Sequence, residues 1–254
     1  MRVGFAGAGS MAGAIARGWA SGDGGPEAML FCDLDTERAN RLAAEVGGET
    51  RATLAEVATD SDVVLLAVKP AALDDAAADL HEAKALISIL AATSVERLAE
   101  AFPGTPLLRV MPNQPVEVRR GVLCYVRPPG TPDEVAEPTL ELLGALGTLV
   151  PLDEERIDAA MAVMSCSPAY VALFAERLAA AGEREGLEAS LAAELVAGAI
   201  GGTAEQLRVR EPAALRAAVA PPGGATEAGL EALERRGFGE AIDAAVTASL
   251  ERFR

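Results

Sequence analysis

Short, wholly apolar runs punctuate the first part of the chain: Val3–Ala6, Met29–Cys32, Val63–Val68, Leu86–Leu90 and Leu107–Val110. Strands covered on both faces have this texture, because neither side alternates toward water. Between the runs, Met11–Ser21, Thr36–Val46, Leu73–Leu80 and Ser94–Ala101 show helical spacing of apolar positions. The last follows Thr93-Ser94-Val95-Glu96, which reads as an N-cap. Strand and helix in alternation predict a parallel sheet with right-handed crossovers. A further strand is expected at Gly121–Val126. Then come a turn at Pro128-Pro129-Gly130-Thr131-Pro132, a helix at Glu134–Leu146 and a closing strand at Gly147–Leu152.

Beyond Asp153 the strand signal stops. Ile157–Gly182 is a long alanine-rich helical pattern interrupted by one proline. Leu191–Arg210, Ala213–Val219, Thr226–Leu233 and Phe238–Arg252 continue in the same way, with Gly198, Gly201 and Gly202 inside the first of these. The expected architecture is α/β. A Rossmann-like parallel-sheet domain over 1–152 is followed by an all-helical domain over 153–254. Small side chains let helices approach closely, so the second domain packs on the first or forms a dimer core.

Composition removes several classes of function. With 254 residues and 50% hydrophobic side chains, the chain can bury a real core and is not disordered. A net charge of −16 argues against a nucleic-acid surface. No long uncharged stretch suggests a transmembrane helix, and the N-terminus lacks the pattern of a signal peptide. Cys32, Cys124 and Cys166 are odd in number and widely spaced, which fits a reducing cytoplasm. A single histidine, His81, and no C-x-x-C leave no expected metal site. Lys69 and Lys84 are the only lysines, so Lys69, at the end of a strand, stands out.

The sharpest local motif is Gly7-Ala8-Gly9-Ser10-Met11-Ala12, a G-x-G-x-x-A between a strand and a helix. Gly7 permits the tight turn, and Gly9 lets backbone approach a pyrophosphate at the helix N-terminus. Asp33, at the end of the second strand, stands where an acidic residue accepts hydrogen bonds from an adenosine ribose. The alternative is a plain Asx turn with Asp35. Ala67-Val68-Lys69-Pro70 ends a middle strand, where proline forces the chain out of the sheet. Ligands bind beyond such strand ends, so Lys69 is expected to face the cofactor cleft or, alternatively, plain solvent.

These segments, with others, resemble the pyrroline-5-carboxylate reductase family along essentially the whole chain. The matching stretches are VGFAGAGSMAGAIARG at 3–18, SDVVLLAVKP at 61–70, SILAATSVERL at 88–98 and RVMPNQPVEVRRG at 109–121. They continue with ERIDAAMAVMSCSPAYVALFAERL at 155–178 and VAPPGGATEAGLEALERRGF at 219–238. The resemblance implies a nicotinamide-dinucleotide domain and a helical dimerisation domain, with the active site shared between the nucleotide domain and helices that include the partner's. A ring of dimers is a further assembly it allows. It implies that Gly7, Gly9, Ser10 and Met11 hold the pyrophosphate, and that Ala67, Val68, Lys69, Pro70, Ala91, Ala92 and Asn113 line the nicotinamide side. Gly223, Gly224, Ala225 and Thr226 would hold the substrate. The chain departs from the family's S-G-S-G-P-A-Y, with Ser165 and Ser167 at the glycine positions, and has Pro221 where serine is usual before P-G-G.

The implied reaction is reduction of the cyclic imine 1-pyrroline-5-carboxylate to L-proline. A protonated imine accepts hydride directly, so the protein contributes position and electrostatics. The glycines at 223 and 224 free backbone N–H groups for a carboxylate. Thr226 either contacts the imine nitrogen, as the catalytic residue, or caps a helix; the two are compatible. Two carboxylates at Asp33 and Asp35 disfavour a 2′-phosphate. NADH is therefore the expected cofactor and NADPH the second choice, with Arg38 and Arg41 the candidate phosphate clamp. Alternatives are a relative acting on another cyclic imine and a silent dimeric nucleotide-binding protein.

Overall fold

The computed structural model describes residues 1–253, in two compact units: residues 1–166 with Phe253, and residues 167–252. The first is built on one sheet of eight strands: β1 (Arg2–Ala6), β2 (Ala28–Cys32), β3 (Glu49–Thr50), β4 (Val63–Leu66), β5 (Leu86–Ser88), β6 (Leu107–Pro112), β7 (Gly121–Val126) and β8 (Gly147–Pro151). Its order is β3-β2-β1-β4-β5-β6-β7-β8. Helices α1 (Ser10–Ala20), α2 (Thr36–Val46), α3 (Leu54–Asp60), α4 (Leu73–Asp79), α5 (Val95–Ala101) and α6 (Asp133–Gly144) connect the strands.

Strand alternation divides the core into two layers. Val3, Phe5, Val63 and Leu65 face one layer with Ile15, Trp19 and Leu143. Ala6, Val64 and Leu66 face the other, with Val57, Leu80 and Leu98. Every second side chain points to the opposite face of a strand, which is why these runs are apolar without a break. The indole of Trp19 donates to Leu142 O at 3.0 Å, so its polar edge is satisfied inside the core.

Two features differ from the sequence expectation. The sheet is not wholly parallel: β6 and β7 pair antiparallel. Only Asn113–Arg120 separates them, too short for the crossover that parallel strands require. Helix α3 and the two-residue β3 carry too weak an apolar pattern to be read. Yet α3 opens with a capping box, Thr53 accepting from Glu56 N–H while the Glu56 carboxylate accepts from Thr53 N–H. A T-x-x-E spacing is a usable signal for it.

The two compact units divide after Cys166. Ile157 and Met161 are buried against Met111 and Cys124, which keeps the start of the long helical run in the first unit. That run comprises α7 (Ile157–Ala160), a π-helical turn at Met161–Ser165 and α8 (Ser167–Arg184).

The second unit holds α8, then α9 (Ala189–Leu207), α10 (Pro212–Val219), α11 (Ala225–Arg235) and all of α12 (Phe238–Phe253) but its last residue. Among its described residues only Ala192 and Leu215 are buried apolar side chains, whereas Leu173, Phe174, Leu178 and Leu195 are exposed. A side chain at Gly198, Gly201 or Gly202 would meet nothing within 4 Å. One copy therefore leaves both its apolar face and its small-residue stripe unused. By length and composition alone the run Glu154–Arg184 is apolar enough to cross a membrane, with an 18-residue stretch of mean hydropathy 1.5. In this unit the same surface is what a second subunit would cover.

Candidate active site

Strands β1, β4, β5 and β6 run in one direction, so their carboxyl ends form one edge of the sheet. Gly7, Ala67, Ile89 and Asn113 are the first residues beyond it. In open sheets this edge is where ligands bind. His81 follows α4 and precedes β5, at the opposite edge, with its Nδ1 2.8 Å from Ala78 O.

The glycine loop is shaped by its neighbours. Gly7 adopts φ +103° and donates its N–H to Cys32 O at 2.8 Å. A Cβ there would stand 2.7 Å from Ala67 O, so the loop lies directly against the exit of β4. Gly9 is the N-cap of α1; it offers no capping side chain, and the first turn holds no acidic residue. The first intrahelical acceptor, Gly9 O, bonds Gly13 N–H at 2.9 Å. The amides of Ser10, Met11 and Ala12 are left facing outward with the positive end of the helix dipole. That donor set fits a pyrophosphate. An open cleft beside it is lined by Gly9, Ser10, Arg17, Arg38, Arg41 and Glu45, with Arg17 paired to Glu45 at 2.7 Å.

Asp33 is largely covered, and its two oxygens are engaged. Oδ2 accepts from Ala8 N–H at 2.7 Å and Oδ1 from Asp35 N–H at 2.8 Å. The Asx turn is therefore present, and the same carboxylate also ties the glycine loop to β2. Arg38 swings back toward it, with Nη1 3.5 Å from Asp33 Oδ1 and Nη2 3.1 Å from Asp35 Oδ2. Leu34, between the two aspartates, is fully exposed.

Val68 and Lys69 follow the end of β4, and Pro70 opens a short 3-10 turn. The Lys69 side chain is exposed and makes no ion pair among the described residues. Ala91 and Ala92 are exposed beyond β5, and Ala92 holds a left-handed φ of +52°. Such strain in a residue with a Cβ costs about 1–3 kcal/mol and clusters at ligand sites. Asn113 stands on the same edge, but its amide is committed to the protein. Nδ2 donates to Met164 O at 3.1 Å and Oδ1 accepts from Val122 N–H at 2.9 Å.

In the second unit, Gly223 adopts φ +74° and Gly224 is the N-cap of α11. Thr226 is consequently the second helical residue and not the cap. Its hydroxyl is exposed and makes no hydrogen bond among the described residues. The Glu227 carboxylate accepts at 2.6 Å from the N–H of Gly223, the residue before the N-cap, and α11 has no side-chain cap. Tyr170 spends its hydroxyl on Ser249 Oγ at 2.7 Å. Burial pushes the Cys32 and Cys124 thiols up, away from thiolate reactivity. Among the described residues no group of three His, Cys, Asp or Glu is placed to hold a metal.

Comparison with known proteins bears on both units. The chain is 36% identical to a pyrroline-5-carboxylate reductase of Synechocystis over 99% of its own length and 97% of that protein. It is 33% identical to one from Arabidopsis thaliana, covering 100% of this chain and 94% of the relative. The chain belongs to the pyrroline-5-carboxylate reductase family. Residues 154–254 match the model for pyrroline-5-carboxylate reductase dimerisation. Residues 2–92 match the model described as NADP oxidoreductase, coenzyme F420-dependent. Among solved pyrroline-5-carboxylate reductases, the Streptococcus pyogenes structure superposes with a TM-score of 0.90 at 28% identity, covering 100% of this chain and 98% of that one. The Plasmodium falciparum structure, which has NADP bound, gives 0.87 at 27% identity, covering 100% and 97%. Family membership accounts for the nucleotide-type edge of the first unit and for the apolar surface of the second.

Proposed function

We propose that this protein reduces 1-pyrroline-5-carboxylate to L-proline with a nicotinamide dinucleotide, as a homodimer built on its helical unit. The observation that carries this reading is the glycine loop, whose uncapped amides face outward at the start of α1, in a member of this reductase family. When bound, the dinucleotide supplies the hydride that adds to the imine carbon.

The chain's own residues do the remaining work. The amides of Ser10, Met11 and Ala12 hold the pyrophosphate, and Leu34 offers a flat apolar surface to the adenine. Val68, Lys69, Pro70 and Ala92 line the nicotinamide side, with Lys69 the free cation there. The backbone N–H groups of Ala225 and Thr226, at the start of α11, bind the substrate carboxylate, while Gly223 and Gly224 shape the turn before them, their own N–H groups held by Glu227 and Pro221 O. Thr226, uncommitted inside the chain, hydrogen-bonds the imine nitrogen and orients it.

The test is oxidation of NADH in the presence of pyrroline-5-carboxylate. Wild-type protein is expected to turn over, and Thr226→Ala to lose about 10–100-fold in kcat with cofactor affinity unchanged, as expected for one hydrogen bond to a charged group. Because the hydroxyl is not the helix cap, the variant should keep its thermal stability. Full turnover by the folded variant would remove the proposed role.

NADH is the preferred donor in this reading. An ionised carboxylate has roughly four acceptor directions, and Asp33 uses one on each oxygen for backbone. Capacity remains for a ribose 2′-hydroxyl, whereas a 2′-phosphate meets like charge from Asp33 and Asp35. Arg38 offsets part of that repulsion. A kcat/KM ratio of about tenfold in favour of NADH is expected, which corresponds to roughly 1.4 kcal/mol. A tenfold ratio the other way would transfer the role to Arg38 and Arg41 as a phosphate clamp.

A further inference from the structure

The long helical run changes character where it meets the ligand edge of the sheet. Between α7 and α8 the residues Met161–Ser165 form a π turn, closed by Cys166 N–H donating to Met161 O at 3.2 Å. A π turn carries one extra residue in the helix and is rare outside functional sites. Its cause is legible in the sequence. Pro168 has no N–H to give to the carbonyl four residues earlier, and its ring crowds that carbonyl, which belongs to Met164. The Met164 carbonyl therefore turns off the helix axis. It is met there by Asn113 Nδ2, at 3.1 Å.

Asn113 is suited to this as few residues are. It is 6% exposed and bonds through both ends of its amide, to Met164 O and from Val122 N–H. Next to it, Ser165 Oγ donates to Pro112 O at 3.3 Å. Two adjacent residues of the π turn are thereby pinned to two adjacent residues at the carboxyl end of β6. Aspartate at 113 would keep the acceptor for Val122 and lose the donor for Met164. An extra helical residue rotates everything after it by about 100°. Holding the turn thus fixes the direction in which Ser165, Cys166 and Ser167 leave the edge.

We propose that Asn113 is a positioning residue of the reductase. Its amide holds the Met164 carbonyl, to which Pro168 has no N–H to give, locks the π turn, and so orients the Ser165–Ser167 segment at the nicotinamide end of the site. The proposal rests on the reductase reading above and on the clamp seen in the protein itself. It differs from a direct cofactor contact by Asn113, because the amide is spent inside the chain.

The experiment combines three measurements on Asn113→Ala and Asn113→Asp. Hydrogen–deuterium exchange of peptides covering 161–169, without substrate or cofactor, is expected to speed up in both. Steady-state kinetics should show kcat for the imine lowered about tenfold, with the Kd for NADH within twofold of wild type. Adding Pro168→Ala, which restores an N–H at 168, should make the Asn113 substitution cost less than it does in the wild-type background. Unchanged exchange at 161–169 in either folded variant would overturn the clamp, whatever the enzyme's substrate. A loss of NADH affinity equal to the loss of kcat would overturn it in favour of direct cofactor binding. Additive Asn113 and Pro168 effects would sever the proposed link. If wild-type protein does not reduce the imine, the exchange measurement still decides the clamp, while the reductase reading fails separately.

Discussion

Replacing Gly7 by alanine is expected to weaken NADH binding by about two orders of magnitude. Gly7 combines φ +103° with a Cβ position 2.7 Å from the Ala67 carbonyl oxygen. The first feature costs a residue with a side chain about 1–3 kcal/mol. The second forces backbone against backbone, which no rotamer change relieves. The loop must move away from β4, and the amides at the start of α1 move with it. A shift worth about 3 kcal/mol corresponds to roughly 100-fold in Kd. Gly47 supplies the control: it has φ +71°, a Cβ there would meet nothing within 4 Å, and it ends α2 at its C-cap. Gly47→Ala should lower stability slightly and leave cofactor affinity alone. Isothermal titration of both variants checks the pair, and wild-type affinity in Gly7→Ala would refute the argument.

The second large effect concerns a buried ion pair. The Arg109 side chain on β6 is 5% exposed, and its Nη1 lies 2.7 Å from Glu154 Oε1. The same Glu154 oxygen accepts from Val95 N–H at 2.6 Å, at the start of α5. Arg109 Nε has no hydrogen-bond partner, so Glu154 carries most of the compensation for a buried charge. Removing one partner from such a pair costs about 3–5 kcal/mol. Glu154 is one-third exposed, so the lower end applies: Glu154→Ala should destabilise the first unit by roughly 3 kcal/mol. That amounts to a fall in apparent Tm of about 6–12 °C for a chain of this size, read at fixed protein concentration. Replacing both partners, as Arg109→Met with Glu154→Leu, should recover much of the loss. A Tm within about 2 °C of wild type in Glu154→Ala would show that water compensates Arg109.

Glu154 and Asn113 mark where sequence reasoning ran short. Both sit in segments with no strong local pattern, and both act across long sequence separations, Glu154 on Arg109 and Val95, Asn113 on Met164 and Val122. Nothing in a window of neighbouring residues reports such a partner. The proline at 168 was visible in the sequence, and the missing N–H follows from its chemistry. That Asn113 would meet the Met164 carbonyl was not visible, because β6 comes next to it only in the folded unit. Asp33 shows the same division. Its place at the end of β2 was legible, but not that one carboxylate would both close an Asx turn and hold the glycine loop.

The strands β1, β2, β4, β5 and β6, their helices and the glycine loop are determined locally, by apolar runs, caps and glycine spacing. Each depends on residues within a few positions of one another, so one sequence suffices to read them. The reversal of β7 and the burial that holds the start of the long helical run on the first unit were decided by tertiary structure. The chain after β6 had to turn back, and Ile157 and Met161 found their burial on β6 and β7. Long-range burial and hydrogen bonding outweighed local propensity at those points because desolvated apolar area and buried polar groups are satisfied only by the whole unit.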